Sequence, residues 1–166
     1  NDQQGVYQQG LAAGGATFAR LEGACFGNGK LYVTSTDGGD AGRGQVWEYD
    51  PREETLKLNF ESPGSDVLDM PDNMCISPRG GIVLCEDGDS LPQRLQVITP
   101  QGELYAIAAN NLDLTMSAPR RLARGDYRDK EWAGATFSFD GKWLFANIQT
   151  PGVTFVITGP WQDELG

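Results

Sequence analysis

The sequence contains no histidine among its 166 residues. Ser-His-Asp triads, imidazole general bases and histidine-ligated zinc sites are therefore excluded within this chain. Cysteine is scarce: Cys25, Cys75 and Cys85 form no CxxC pair, so neither a disulfide framework nor a zinc knuckle is indicated. We expect all three to be small buried core residues. Any chemistry in this chain must use carboxylates, Arg, Lys, Tyr, Cys or metal ions.

Positive charge is also scarce, with 13 basic against 23 acidic residues and a net charge of −10. Such a chain repels a phosphate backbone, so we expect no nucleic-acid partner and favour binding of hard cations. No run approaches the roughly 18 apolar residues of a membrane-spanning helix, which predicts no membrane partner. The first residues lack the basic and apolar regions of an export signal, so an exported parent would carry its signal elsewhere.

Short runs of alternating or β-branched residues, separated by 22 glycines and nine prolines, predict an all-β chain. Three segments repeat the pattern of strand, glycine turn and strand around Gly29, Gly80 and Gly141. The spacing of about 50 to 60 residues is typical of β-propeller blades. We therefore predict that residues 1–166 form a partial β-propeller of about three four-stranded blades. The blade-like units span about 20–61, 68–109 and 131–161, with an excursion at 110–130.

Three blades do not close a ring, because propellers contain about four to eight. The third unit also shows no fourth strand pattern after residues 153–158. We expect a half-ring, completed by missing sequence or by a second copy of the chain.

Acidic residues recur at the start of the innermost predicted strands. Alignment on the turn glycines places Glu22, Asp72 and Ala133 at one position, with Glu131 two residues earlier in the third unit. Those strand starts converge on the channel of a propeller, so carboxylates distant in sequence can surround one ion. Oxygen donors without histidine favour Ca²⁺, Mg²⁺ or Fe³⁺. Acidic residues beside glycine turns are also commonly capping or solvated, and this alternative stays open here.

The second unit adds two further oxygen donors, Glu86 and Asp87, at the end of its second strand. The equivalent positions in the other units are predicted at residues 35–36 and 147–148. These donors would lie one strand outward from the first set.

One arginine accompanies the carboxylates. Arg20 lies two residues before Glu22 on the same predicted strand, so the period of two directs both side chains to one side. A guanidinium beside a metal-bound carboxylate is well placed to bind phosphate, although a surface ion pair is equally common.

Six longer motifs follow one another along the chain, at residues 21–26, 45–51, 68–73, 77–88, 131–138 and 147–161. In this order they resemble the C-terminal part of bacterial PhoX-type alkaline phosphatases, over nearly all of residues 20–161. The resemblance implies a secreted, monomeric, six-bladed propeller, whose central site uses Fe³⁺ and Ca²⁺ to hydrolyse phosphate monoesters. Twin-arginine export to the periplasm would be expected of the parent. It assigns phosphate contact to Arg20 and metal ligation to Glu22, Glu86 and Glu131, with Asp72, Asn73 and Asp87 as further candidate ligands.

The chemistry implied by this resemblance rests on metal ions and needs neither histidine nor a protein nucleophile. The sequence departs from the family in extent. The family's N-terminal half, which would supply the remaining blades, a cysteine ligand and other carboxylates, is absent.

Two other functions remain open. One is a non-catalytic half-propeller that binds Ca²⁺, alone or as a homodimer. The other is a calcium-dependent lactonase of the gluconolactonase-like propellers, which share Pro-Asp-Asn/Gly turns followed by Ser-Pro-x-Gly. The lactonase reading explains residues 71–73 but not residues 131–135 or the C-terminal motif. Cleavage of a phosphomonoester, of neither substrate or of a sugar lactone separates the three.

Overall fold

A computed structural model of the chain describes residues 3–159 and Trp161. The ends of the predicted domain and part of its last unit, Pro160 included, lie outside the described residues. The described part contains one helix and eleven strands. They are α1 (Gln3–Ala12), β1 (Leu21–Gly27), β2 (Lys30–Ser35), β3 (Gln45–Asp50), β4 (Thr55–Glu61), β5 (Pro71–Ile76), β6 (Ile82–Glu86), β7 (Arg94–Ile98), β8 (Leu104–Ala109), β9 (Trp132–Phe137), β10 (Leu144–Ile148) and β11 (Val153–Ile157).

The strands form three antiparallel sheets in which sequence neighbours are also neighbours in space. The first sheet has the order β1-β2-β3-β4, the second β5-β6-β7-β8 and the third β9-β10-β11. The innermost strands β1, β5 and β9 contact one another in succession, as the inner strands of propeller blades do. The prediction of an all-β chain built from propeller blades is confirmed, with three strands described in the last blade.

Two apolar layers hold the sheets together. Tyr32 and Leu84 lie in the layer between the first and second sheets, and Val83 and Trp132 lie in the layer between the second and third. The middle strand β6 is buried along its whole length because successive side chains enter opposite layers. Of the cysteines, Cys75 and Cys85 are buried in the second layer and Cys25 is partly buried against the first, all as free thiols.

Each innermost strand is irregular near its start. The register shifts between Leu21 and Ala24 in β1 and between Pro71 and Asn73 in β5. A third shift separates β9 from β10 between Phe145 and Asn147. A β-bulge breaks the strict alternation of side chains and can re-aim a residue. These bulges occur where the sequence places its recurring acidic residues.

The register also corrects one predicted equivalence. Ile148 pairs with Trp132, just as Glu86 pairs with Pro71. The third-sheet counterparts of Glu86 and Asp87 are therefore Ile148 and Gln149, one residue later than predicted. The turn before β10 is longer than the turn before β6, and alignment on the turn glycines did not account for this difference.

The segment between β8 and β9 contains no strand of its own among the described residues. An isolated bridge joins Asp113 to Asp126 within it. The buried Asn110 amide donates to the carbonyls of Tyr127 and Lys130, at 2.7 and 2.8 Å, and so fastens the end of this segment beside β9. Within residues 3–159 and Trp161, the structure has no helix with the length and hydrophobicity of a membrane span.

Candidate metal centre

Three carboxylates from two sheets meet at the beginning of the inner strands. Asp72 lies in the bulge of β5, Asp87 directly follows β6, and Glu131 directly precedes β9. One oxygen of each lies within 4.8 Å of one oxygen of the other two. All three residues are partly buried. The fold therefore brings together groups that are up to about sixty residues apart in sequence.

The three carboxylates lack enough positive charge to balance them. Burial, followed by the charges of Asp87 and Glu22, raises the pKa of Asp72 to about 6. Burial, a hydrogen bond with Asp87 and the surrounding negative charges raise the pKa of Glu131 to about 7. Such shifts indicate a site where extra positive charge, as a proton or a cation, is favourable.

Arg20 and Glu22 lie beside this group. Arg20 Nη2 lies 2.6 Å from Glu22 Oε1 and 3.5 Å from Asp87 Oδ2, and Nη1 lies 3.2 Å from Asp37 Oδ1. Its hydrogen bond to Glu22 is the main cause that raises the pKa of Arg20, so the guanidinium stays charged.

The backbone conformation of Arg20 differs from the predicted strand. Strand β1 begins at Leu21, and Arg20 has a left-handed backbone with φ of 51°. The alternation of a strand therefore does not direct its side chain. Met70, which precedes β5, has the same conformation with φ of 52°. A left-handed non-glycine residue is uncommon, and its recurrence marks a shared turn into the inner strand.

Glu86 is not brought into the carboxylate group. It is 1% exposed, and its carboxylate accepts five hydrogen bonds within the protein. Arg94 donates three of them and Gln96 and the Asp69 backbone one each. Adjacent residues at a strand end point to opposite sides, so the strand period alone predicts that Glu86 and Asp87 diverge.

Asn73 contributes its backbone to the site, since its N–H donates to the Asp72 carboxylate. Sequence reasoning missed Asp37, which reaches Arg20 from the loop after β2. It also missed Thr34, a fully buried hydroxyl opposite the β1 bulge. No spacing pattern marks either residue, because both act through contacts between distant segments.

The donor set is suited to a hard cation. It consists of carboxylate oxygens, which Ca²⁺ and Fe³⁺ prefer. The Cys85 thiol is fully buried, and burial raises its pKa to about 12, so it is protonated at neutral pH. The residues present therefore fit an oxygen-ligated metal ion.

Comparisons with known proteins identify a fold and a family. No curated protein matches the chain. A solved structure of the periplasmic gluconolactonase PpgL of Pseudomonas aeruginosa superposes with a TM-score of 0.54 over 86% of this chain, at 18% identity. The chain spans 40% of that structure's length, and the likeness shows a shared propeller-like fold alone. The family described as alkaline phosphatase PhoX matches residues 2–152. The chain therefore belongs to the PhoX alkaline phosphatase family.

Proposed function

We propose that this chain is part of a metal-dependent phosphomonoesterase of the PhoX type. The observation that carries the proposal is the convergence of Asp72, Asp87 and Glu131, with Glu22 and Arg20 beside them, in a member of this family. Ca²⁺ and Fe³⁺ are the ions that the sequence resemblance implies, and phosphate monoesters are the substrates. The parent would act in the periplasm or outside the cell, without nucleic-acid or membrane partners.

Asp72, Asp87 and Glu131 would hold the metal ions, and Glu22 would add a further carboxylate ligand. When bound, the ions would supply Lewis-acid stabilisation of the charge on the phosphoryl oxygens. The side chains of the site would bind and orient the phosphate. Arg20 offers a planar fork of N–H donors that matches two phosphate oxygens. Glu22 and Asp37 hold that fork in place, whereas the longer contact to Asp87 is the one that a phosphate would replace most easily.

Burial raises the pKa of Glu131 to about 7, so Glu131 keeps its proton below that pH, next to Asp87, while no cation is present. Their hydrogen bond contributes to the raised pKa of Glu131. Metal ligands must be deprotonated, so binding of a cation would release this proton. Release of protons on binding therefore distinguishes this pair from carboxylates that are already ionised.

Within the described part of the chain, one face of the first sheet is apolar and lies open except where Phe18 packs edge-on against Trp47. Two cross-strand rows of apolar residues run over the face that points away from the second sheet. Among them Phe26 is 67% exposed and Leu56 is 49% exposed. A continuous apolar face of this kind marks a contact surface. We propose that the remaining blades, from missing sequence or from a second copy, pack on it. The rows are Phe26-Leu31-Tyr49-Leu56 and Ala24-Val33-Trp47-Leu58.

The test is the metal content, the p-nitrophenyl phosphate turnover and the solution mass of the purified chain, with and without added Ca²⁺. Turnover by a species of twice the monomer mass would support a working site closed by two copies. The double variant D87N/E131Q should abolish it, while D126N, a surface carboxylate paired with Arg128, should not. Bound metal without turnover would mean that absent blades supply indispensable ligands. A chain that binds no metal would contradict the proposed centre.

The second candidate is a non-catalytic half-propeller that binds Ca²⁺. The observation in its favour is extent, since the chain spans 40% of the solved propeller-like structure and leaves an apolar face uncovered. It predicts calcium binding with no hydrolysis of any ester. The lactonase alternative predicts that the same preparation cleaves a sugar lactone. Failure to cleave the lactone would exclude it.

A further inference from the structure

The Thr34 hydroxyl joins the first sheet to the second directly behind the carboxylates. Thr34 lies in β2, opposite the bulge of β1, and is fully buried. Its Oγ1 accepts a hydrogen bond from the Gly23 N–H at 2.8 Å and donates to the Asp72 carbonyl at 2.7 Å. A hydroxyl has one proton to donate, and this contact is shorter than the 3.4 Å contact to the Gly23 carbonyl. One side chain therefore binds the residue after Glu22 and the backbone of Asp72.

The peptide unit that follows Asp72 is held at both ends. Its carbonyl oxygen accepts from Thr34, while its N–H, which belongs to Asn73, donates to Oδ1 of Asp72 itself. Rotation of this peptide plane would break both hydrogen bonds. The Thr34 hydroxyl thus restricts the direction in which the Asp72 carboxylate points.

A second threonine repeats the contact one residue earlier. Thr36 Oγ1 donates to the Pro71 carbonyl at 3.0 Å, and Thr36 is also fully buried. Both carbonyls at the β5 bulge therefore accept hydrogen bonds from hydroxyls of β2 or of the residue that follows it. Buried carbonyls require such partners, so the position of the bulge depends on these hydroxyls.

Gly23 allows the two inner strands to approach closely enough for this contact. A Cβ atom at Gly23 would lie 2.1 Å from the Asp72 carbonyl oxygen and 3.0 Å from Thr34 Oγ1. Any side chain there would push β1 away from β5. Since Glu22 precedes Gly23, the distance between Glu22 and Asp72 is set by the same approach.

We propose that Thr34 is a positioning residue of the metal centre, whose hydroxyl sets the spacing of Glu22 and Asp72 across the junction of the first two sheets. The inference rests on the proposed metal site. Thr34 itself touches no ion or substrate and acts through the backbone at Gly23 and Asp72.

The experiment measures the affinity of the full 166-residue chain for Tb³⁺, a luminescent substitute for Ca²⁺, together with urea unfolding. T34V keeps the shape and removes the hydroxyl, whereas T34S keeps the hydroxyl. We expect T34V to bind Tb³⁺ about tenfold more weakly and T34S within about threefold of wild type, within the range seen for partners outside the ligand shell.

S62A is the matched control for lost stability. The Ser62 hydroxyl is equally buried and donates to the carbonyl of Leu68 at 2.6 Å, four residues before Asp72 and not to its peptide unit. It should lower the urea midpoint and leave Tb³⁺ affinity unchanged. G23A retains the hydroxyl but separates the strands, so it should weaken binding as T34V does and tests the inference if T34V does not fold.

If T34V binds Tb³⁺ with wild-type affinity, or if G23A does so where T34V does not fold, the inference about Thr34 is overturned. The proposed metal centre is not affected by that result. Equally weakened Tb³⁺ affinity in T34V and S62A would overturn the inference about Thr34 as well, because the loss of affinity would then follow from lost stability. A wild-type chain that binds no Tb³⁺ would overturn the metal centre and the inference together.

Discussion

Glu86 and Asp87 are adjacent in the chain but occupy opposite electrostatic environments. Glu86 is buried and receives five hydrogen bonds, three of them from Arg94. Asp87 lies beside Glu131 and Asp72, whose pKa values are raised. The charge of Glu86 is balanced by Arg94, whereas Asp87 belongs to a group with excess negative charge. The comparison teaches that an acidic residue in a metal-binding family becomes a ligand candidate only where the protein does not already satisfy it.

The largest expected effect is on stability, at Glu86, the carboxylate whose hydrogen bonds and charge are already satisfied. E86Q should lower the free energy of unfolding by about 3 kcal/mol, because breaking a buried ion pair leaves the Arg94 charge without its partner. Urea unfolding measures this. D126N, which removes an exposed ion pair, should keep the wild-type midpoint. An E86Q chain of wild-type stability that has lost metal affinity would reverse the comparison and make Glu86 a ligand.

Substitution of the unsatisfied carboxylates Asp87 and Glu131 should weaken metal binding without destabilising the fold. D87N/E131Q should weaken Tb³⁺ affinity by about 100-fold or more, since loss of a partner outside the ligand shell already costs 10–100-fold. The same variant should be more stable than wild type in EDTA, because it removes repulsion. Luminescence titration and thermal unfolding measure the two effects. Unchanged affinity would show that these carboxylates hold no ion.

Arg20 sharpens the comparison because its positive charge lies beside the unsatisfied group. R20K keeps the positive charge and loses the planar fork. We expect inorganic phosphate to bind the calcium-loaded chain about tenfold more weakly, the equivalent of one charge-assisted hydrogen bond. Calorimetric titration with phosphate measures this. Tb³⁺ affinity should stay close to wild type, and a large loss of it would mean that Arg20 serves the carboxylates instead.

The smallest expected effect is a pH dependence of stability. The folded pKa values of Asp72 and Glu131, about 6 and 7, exceed the ordinary values near 4. Folding therefore favours their protonated forms, so this stabilisation is full below about pH 4 and is lost as pH rises through 6–7. Because Glu131 is only partly buried, solvent screens much of this term. In EDTA the melting temperature should fall by roughly 2–4 °C between pH 5 and 8, the equivalent of about 1 kcal/mol. Ca²⁺ should reduce the fall, and D87N/E131Q should show less of it than wild type.

Much of the fold follows from local sequence. The glycine turns and the β-branched runs predicted the strands of all three sheets, because period and turn chemistry act over a few residues. The equivalence of Glu22 and Asp72 also follows from the repeat. The one-residue error at residues 147–148 arose in a turn whose length local patterns do not reveal.

The candidate site was less accessible to sequence reasoning. Asp37 and Thr34 were missed because their contacts join loops and strands of different sheets. Glu86 was predicted as a ligand because it ends the second strand beside Asp87 and because the family resemblance assigns it metal ligation. Only the positions of Arg94 and Gln96 in the neighbouring strand show that Glu86 is already satisfied.

By itself the sequence determined the family, the β architecture and the absence of imidazole chemistry, since these depend on residue types and on local order. Only the tertiary structure decided which carboxylates meet and which are neutralised. Electrostatic energy depends on distance and on burial, and neither is a property of sequence separation. Asp72 and Glu131 therefore become neighbours through the packing of two sheets, while Glu86, one residue from Asp87, faces away into an ion pair.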